Sequence, residues 1–321
     1  MGGDDAPDVV VRGAIAAHHD GVPVVLIGDT DRIGPMLPRR GAPEVVHAEE
    51  AIGMDESAAG AVRRKEQASV RLALREVAAG RASAAVSFGN TGATLVASVF
   101  ELGVLDGVER PALATVLPRS DGGRLVMLDA GANVDCKPEL LATFALLGAA
   151  WSECMGEPAP RVGLLSNGEE EGKGNLQVRA TLPLLRELPL EVVGNVEPTA
   201  AMAGACDVLV CDGFVGNVLL KAAEGAVATV EQLLSEEIRR RPSGVVGAWL
   251  LGGAMERFRE RVAWDAHGGA LLLGTPGVVV VGHGRANEAA VRAGIGVAWR
   301  AVREGLVEGI ERRLQGWGDH T

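Results

Sequence analysis

Val208-Leu209-Val210-Cys211-Asp212-Gly213-Phe214-Val215-Gly216-Asn217 decides the fold class: a β-branched run closes on an Asp-Gly turn and opens into a longer mixed stretch. Apolar run, Gly/Asn/Asp turn and helical stretch then repeat along the chain. The runs stand at 22–27, 44–47, 84–88, 112–117, 125–128, 162–165, 190–193, 208–210 and 278–281. Near-continuous apolar strands belong in a sheet covered on both faces, where neither side of the strand meets water. The spacing therefore predicts an α/β fold: a mostly parallel sheet with helices on both faces. No fixed-period repeat and no low-complexity linker divides the 321 residues, so one unit spanning 1–321 is expected.

Hydrophobic residues make up 47% of the chain, aromatics only 3%, and tyrosine is absent, so Val, Leu and Ala must fill the core. A net charge of −11 excludes a general nucleic-acid binder, which needs a basic face. Cys136, Cys154, Cys206 and Cys211 form no CxxC pair and no metal-ligand spacing, and read as reduced thiols of a cytoplasmic protein. The acidic, glycine-rich opening Met1-Gly2-Gly3-Asp4-Asp5 is unlike a signal peptide. The longest candidate for a membrane span, 244–255, has 12 residues where about 20 are needed.

The turns that close the runs point to a site. They are Gly89-Asn90-Thr91-Gly92, Asp129-Ala130-Gly131-Ala132-Asn133-Val134-Asp135, Gly194-Asn195, Asp212 to Asn217 with Gly216 between, and Gly282-His283-Gly284. Open α/β sheets bind ligands at the carboxyl ends of their strands, so these turns are expected to converge on one crevice. None is GxGxxG after the first strand or GxxxxGK[ST], which leaves neither a dinucleotide site nor a Walker loop. Exposed glycine amides suit a small anion such as phosphate. Taken singly, a Gly-Asn after a strand is more often a helix start or a left-handed glycine, and it is the recurrence of the set that points to a site.

Only four lysines stand among 31 basic residues: Lys65, Lys137, Lys173 and Lys221. Lys173 lies in Gly168-Glu169-Glu170-Glu171-Gly172-Lys173-Gly174-Asn175, directly after an apolar run. A compact ammonium there can neutralise a phosphate or an oxyanion, or simply pair with one of three glutamates. Asn90, Asn133, Asn195 and Asn217 offer amide donors for an oxyanion, and Asp129, Asp135 and Asp212 can orient them. His283 is a candidate proton carrier or phosphate donor, with a structural role as the alternative. No Gly-x-Ser-x-Gly elbow is present, so the residues suit binding and polarising an anion, with no metal or cofactor called for.

Residues 239–262 depart from plain α/β. Arg239, Arg240, Arg241, Arg257, Arg259 and Arg261 against Glu256 and Glu260 give this stretch +4 within an acidic chain. Its apolar centre holds Val245, Val246, Trp249, Leu250 and Leu251. A protruding helical hairpin dipping into an anionic membrane fits this composition, and so does a helix pair buried in a dimer.

Together these motifs resemble a family, the bacterial phosphate acyltransferases of phospholipid synthesis (PlsX type). The resemblance is carried by Met1-Gly2-Gly3-Asp4-Asp5, Ile52-Gly53-Met54-Asp55-Glu56, Gly89-Asn90-Thr91-Gly92-Ala93 and Arg110-Pro111-Ala112-Leu113-Ala114. Gly131 to Pro138, Gly168 to Asn175, Asp212 to Val218 and Gly268-Gly269-Ala270 complete it, in order along nearly the whole chain. It implies transfer of a fatty acyl group from acyl carrier protein thioester to inorganic phosphate, the acyl phosphate feeding a membrane glycerol-phosphate acyltransferase. An isocitrate/isopropylmalate-dehydrogenase-like architecture, a homodimer and peripheral contact with the inner face of the cell membrane are implied as well. Lys173 and Asn217 match positions expected to be catalytic, with Lys173 holding phosphate and Asn217, joined by Asn90, donating to the oxyanion. Gly89, Thr91, Gly92, Asn133, Asp135, Asn195, Asp212, Gly216 and His283 are expected to line the substrate site. Acyl-coenzyme A as donor, or a non-catalytic module docking carrier protein at the membrane, are the competing readings. Members of the family open with an apolar strand ahead of Met-Gly-Gly-Asp, whereas this sequence starts at that methionine. Arg285-Ala286 after His283-Gly284 and Ser166-Asn167 also depart from the family pattern.

Overall fold

The computed structural model describes residues 1–240, 243, 247, 251–262 and 268–318. Chain order is α1 (Asp8–His19), β1 (Val25–Gly28), α2 (Thr30–Ile33), β2 (Glu44–His47), α3 (Ala58–Arg64), α4 (Ser69–Ala78), β3 (Ala84–Ser87) and α5 (Thr91–Leu102). Then come β4 (Ala112–Pro118), β5 (Arg124–Leu128), α6 (Pro138–Cys154), β6 (Arg161–Leu165), α7 (Leu176–Glu187), β7 (Glu191–Val196), α8 (Pro198–Ala203) and β8 (Val208–Val210). The chain finishes with α9 (Gly213–Arg239), α10 (Gly252–Val262), β9 (Ala270–Leu273), β10 (Val278–Val281), α11 (Glu288–Arg303) and α12 (Leu306–Gly318).

Eight strands form one sheet in the order β3-β10-β9-β4-β5-β8-β6-β7, and β1-β2 form a separate parallel pair. Pairing is parallel at β3/β10, β5/β8, β8/β6 and β6/β7, and antiparallel at β10/β9, β9/β4 and β4/β5. The expected α/β class with mostly parallel pairing is present. Each of the nine apolar runs overlaps a strand. β9 is the strand the spacing did not reveal, because Ala270-Leu271-Leu272-Leu273 between glycines has no period that separates strand from helix.

The core lies on both faces of this sheet. Thirteen of the 17 residues of α6 are buried, as a helix apolar on all sides requires. It packs against β5, β8, α7 and α12. At the far end of these strands Asp207, only 4% exposed, accepts from Arg161 Nε at 3.0 Å and from the Arg119 guanidinium. That clamp ties the β4–β5 turn to the starts of β6 and β8.

A cavity of about 620 Å³ separates β1 from β3, lined by Leu26 and Ile27 on one strand, Ala84 and Val86 on the other, and Val291 and Ile295 of α11. Met1 packs on Gly28 and Gly2 on Gly89, so β1 and β3 both end beside the first residues.

The 27 residues of α9 are only 11% buried over the most apolar window, whose mean hydropathy is 1.2. Among the described residues, α9 is the one helix long and apolar enough, by length and composition, to cross a bilayer. Its apolar residues are spread along the helix instead of forming a run, which is why the sequence did not display it. Val245, Val246, Trp249 and Leu250 lie outside the described residues, and Leu251 is 59% exposed.

Candidate active site

Strand direction divides the candidate turns into two groups. β5, β6, β7 and β8 run together and release 129–135, 166–175 and 212–217 at one edge of the sheet. Three successive antiparallel pairings separate β5 from β10, so β10 and β3 run the opposite way. Gly89, Asn90, Thr91, Gly92 and His283 therefore leave at the opposite ends of their strands, so strand direction does not gather all the candidate turns at one end of the sheet. The physical reason is the β4–β5 hairpin, which turns the chain back at 119–123. β9, antiparallel to both its neighbours, leaves that reversal in place.

On the first edge the 129–133 turn is wound around one carboxylate. Asp129 is fully buried and accepts from the backbone N–H of Leu113, Gly131 and Ala132 at 3.1, 3.0 and 2.9 Å through Oδ1. Its Oδ2 accepts from Asn133 N at 2.6 Å and Asn133 Nδ2 at 2.9 Å. Burial pushes the Asp129 carboxyl up, against the pull of these donors. The amides of this turn are thus spent on Asp129 and do not form a cradle for phosphate. Asn133 is likewise committed, its other amide hydrogen going to Pro111 O at 2.8 Å, and Asp135 is exposed.

α9 starts against this turn. Asp212 caps it by accepting from Val215 N at 2.8 Å, and Gly213 N donates to Asn133 O at 2.7 Å. A Cβ at Gly216 would collide with Asp129 O, so only glycine lets the first turn settle. Asn217 comes next and is exposed, with Gly131 (φ +139°) so placed that a Cβ there would lie 3.6 Å from its Cβ and Cγ. Asp212 and Gly216 place Asn217 and do not themselves present donors.

The Lys173 loop is built next door. Glu170 O accepts from Lys173 N and from Asn195 Nδ2, each at 2.9 Å, and Gly174 N donates to Asn167 Oδ1 at 2.9 Å. Asn175 caps α7 by accepting from Val178 N at 2.9 Å. Asn195 is buried and holds the loop from beneath, while Ser166 Oγ and Asn195 Oδ1 have no hydrogen-bond partner among the described residues. Lys173 stands about half exposed, its Nζ 3.7 Å from the exposed Glu170 Oε2, a pairing that contributes little. Glu171 is taken by Arg186. Gln177, which the sequence reading passed over, donates from Nε2 to Cys136 O at 2.6 Å and so links the Lys173 side to the Asn217 side. A glutamine in the first turn of a helix, two residues after its cap, was the available signal.

The other lysines are structural or surface groups. Lys65 pairs with Glu56 at 2.6 Å, Lys221 pairs with Glu224 at 2.8 Å within α9, and Lys137 is the exposed cap residue of α6. At the second edge Asn90 Nδ2 reaches Gly53 O, Met54 O and Glu56 O at 3.1, 3.2 and 3.1 Å, and its Oδ1 caps α5 through Ala93 N. The expected second oxyanion donor is thus a staple between α5 and the 53–56 loop. His283 is exposed, and its Nδ1 accepts from Arg285 N at 3.1 Å.

No cysteine offers a thiolate to the chemistry. Burial pushes the Cys136 thiol, beside the site, up to about 12, with Asp129 adding to the shift. Cys206 is also pushed up to about 12, and burial raises Cys211 well above the ordinary thiol range. Among the described residues, one edge therefore carries a loosely paired cation and an uncommitted amide on neighbouring strand ends, joined through Gln177, Cys136, Asn133 and Gly213.

Relatives agree with the motifs. A family model described as fatty acid synthesis protein matches residues 1–308. The phosphate acyltransferase of Desulforudis audaxviator is 47% identical over 96% of this chain and 92% of its own length. That of Trichlorobacter lovleyi is 43% identical over 98% of this chain and 92% of its own. Among solved structures, a phosphotransacetylase from Streptococcus pyogenes shares the fold, with a TM-score of 0.63 over 93% of this chain and 92% of that one at 16% identity. The chain thus belongs to the fatty acid synthesis protein family, among the PlsX-type phosphate acyltransferases that its motifs resemble.

Proposed function

We propose that the chain transfers a fatty acyl group from acyl carrier protein thioester to inorganic phosphate, and that Lys173 and Asn217 carry the reaction. Acyl transfer to phosphate is the family's chemistry; the carrier-protein donor and the residue roles are our reading. The observation that carries it is the pairing of a loosely held ammonium and an uncommitted amide at adjoining strand ends. Lys173 holds phosphate against the thioester carbonyl and turns a bimolecular encounter into an oriented one. A phosphate oxygen adds to the carbonyl carbon, and Asn217 Nδ2 donates to the oxyanion, an interaction worth roughly 3–4 kcal/mol. Collapse breaks the C–S bond, and carrier thiolate leaves with acyl phosphate formed. A thiol of pKa about 8.5 needs little acid assistance to depart.

Incubation with labelled phosphate and a long-chain thioester tests the donor. Acyl phosphate formed from acyl carrier protein is the expected result. Formation from acyl-coenzyme A alone would replace the donor, and formation from neither would leave a docking module.

The membrane and dimer readings draw on exposed apolar residues: Phe214, Val218, Val230, Leu233 and Leu234 of α9, Leu251, and Phe258 of α10. This surface supports a homodimer on the cytoplasmic face of the membrane, contacting anionic lipid through the basic stretch 239–262 and delivering acyl phosphate to a membrane glycerol-phosphate acyltransferase.

A further inference from the structure

We propose that Asp129 is the positioning residue for Asn217: its carboxylate fixes the height and rotation of the first turn of α9 and so aims the amide at the oxyanion. This inference rests on the oxyanion role of Asn217. All five partners of Asp129 are N–H donors, so the bonding pattern needs a carboxylate with both oxygens unprotonated. Four of the five come from residues 131–133, which are folded back over the carboxylate. The helix then packs onto that folded turn with no side chain between. A Cβ at Gly213 would stand 2.9 Å from Asp129 Oδ2 and 2.6 Å from Asn133 O. One at Gly216 would overlap Asp129 O outright. Cys211 Sγ adds a donor to the same carbonyl at 3.7 Å, from the residue before the cap. Gly131, held by Oδ1, lies beside Asn217: a Cβ added to it would stand 3.6 Å from Asn217 Cβ and Cγ. A shift of the carboxylate is thus passed to Asn217 from two sides, through the helix backbone and through Gly131. Asp129 has no exposed surface and no route to substrate, which separates positioning from direct catalysis.

Asp129→Asn keeps the shape but turns one acceptor into a donor facing N–H groups. A double-mutant cycle with Asn217→Ala separates positioning from general stability, since residues acting as a unit are non-additive. The readout is kcat and KM for phosphate with long-chain acyl carrier protein. Asn217→Ala alone should lower kcat by about 10²–10³-fold, the loss typical of an oxyanion donor. Asp129→Asn should lower kcat at least about tenfold with KM for phosphate within about twofold, and in the Asn217→Ala background should cost less than about twofold more. Multiplicative losses in the double variant would overturn the proposal, as would a kcat for Asp129→Asn equal to wild type. A silent Asn217→Ala would instead remove the oxyanion role itself, and with it the task assigned to Asp129. If Asp129→Asn does not fold, Asn133→Ala, which deletes one of the five donors, enters the same cycle with the same two outcomes.

Discussion

At the scale of single residues, what distinguishes Lys173 and Asn217 is that the ammonium has only a loose, exposed pairing with Glu170 and the amide has no hydrogen-bond partner among the described residues. Asn90, Asn133 and Asn195 carry the same amide, yet each spends it on backbone carbonyls or on Asp129. Residue type and position after a strand were visible in the sequence, but commitment was not, because the partners come from as far as 37 residues away. The Asp207 clamp shows the same dependence on distant partners. Burial pushes the Asp207 carboxyl up, but hydrogen bonds from Arg161 and Arg119 outweigh it and hold the group below the usual carboxylate range. A folded pKa below the unfolded value of about 3.9 contributes stability above that pH, lost as pH falls through the folded value. Asp207→Asn leaves two guanidiniums facing a neutral amide and is expected to cost roughly 3–5 kcal/mol near neutrality. Thermal unfolding followed against pH checks this: the gap between wild type and variant should narrow below about pH 4, and a constant gap would contradict the ionic account.

Among elements, α9 joins the two halves of the proposed function. Its first turn is fixed on the 129–133 turn, while Val230, Leu233 and Leu234 toward its other end are exposed. Long-range charge supports a membrane for this end, since the stretch after it carries +4 in a chain of −11. Trp249→Glu with Leu250→Glu is expected to abolish sedimentation with vesicles containing anionic lipid and to spare turnover in solution. Unchanged sedimentation would refute membrane contact through Trp249 and Leu250. The elements themselves were largely legible, since buried strands declare themselves by β-branched runs such as Val278–Val281. α9 was harder, because apolar residues three and four apart do not stand out from the polar residues between them.

Across the whole molecule the sheet separates two ends that sequence alone had merged. Reading every strand end as one crevice assumed a uniform direction, and the hairpin of β4 with β5 reverses it. Ser120-Asp121-Gly122-Gly123 between two apolar runs was a local hint of that hairpin. How the reversal propagates to β10 and β3 depends on which edges pair, and long-range packing settles that. The 89–92 turn, the 53–56 loop and His283 therefore form an end of their own, beside Met1–Gly3 and the cavity between β1 and β3. The proposed chemistry belongs to the end where the loops after β6 and β8 carry Lys173 and Asn217. The most direct measurement is the kcat of Lys173→Met for phosphate-dependent release of carrier thiol from long-chain acyl carrier protein, with thermal unfolding as the control for folding. A loss of at least about 100-fold in kcat at an unchanged Tm is expected. Near-wild-type turnover in that variant would contradict it.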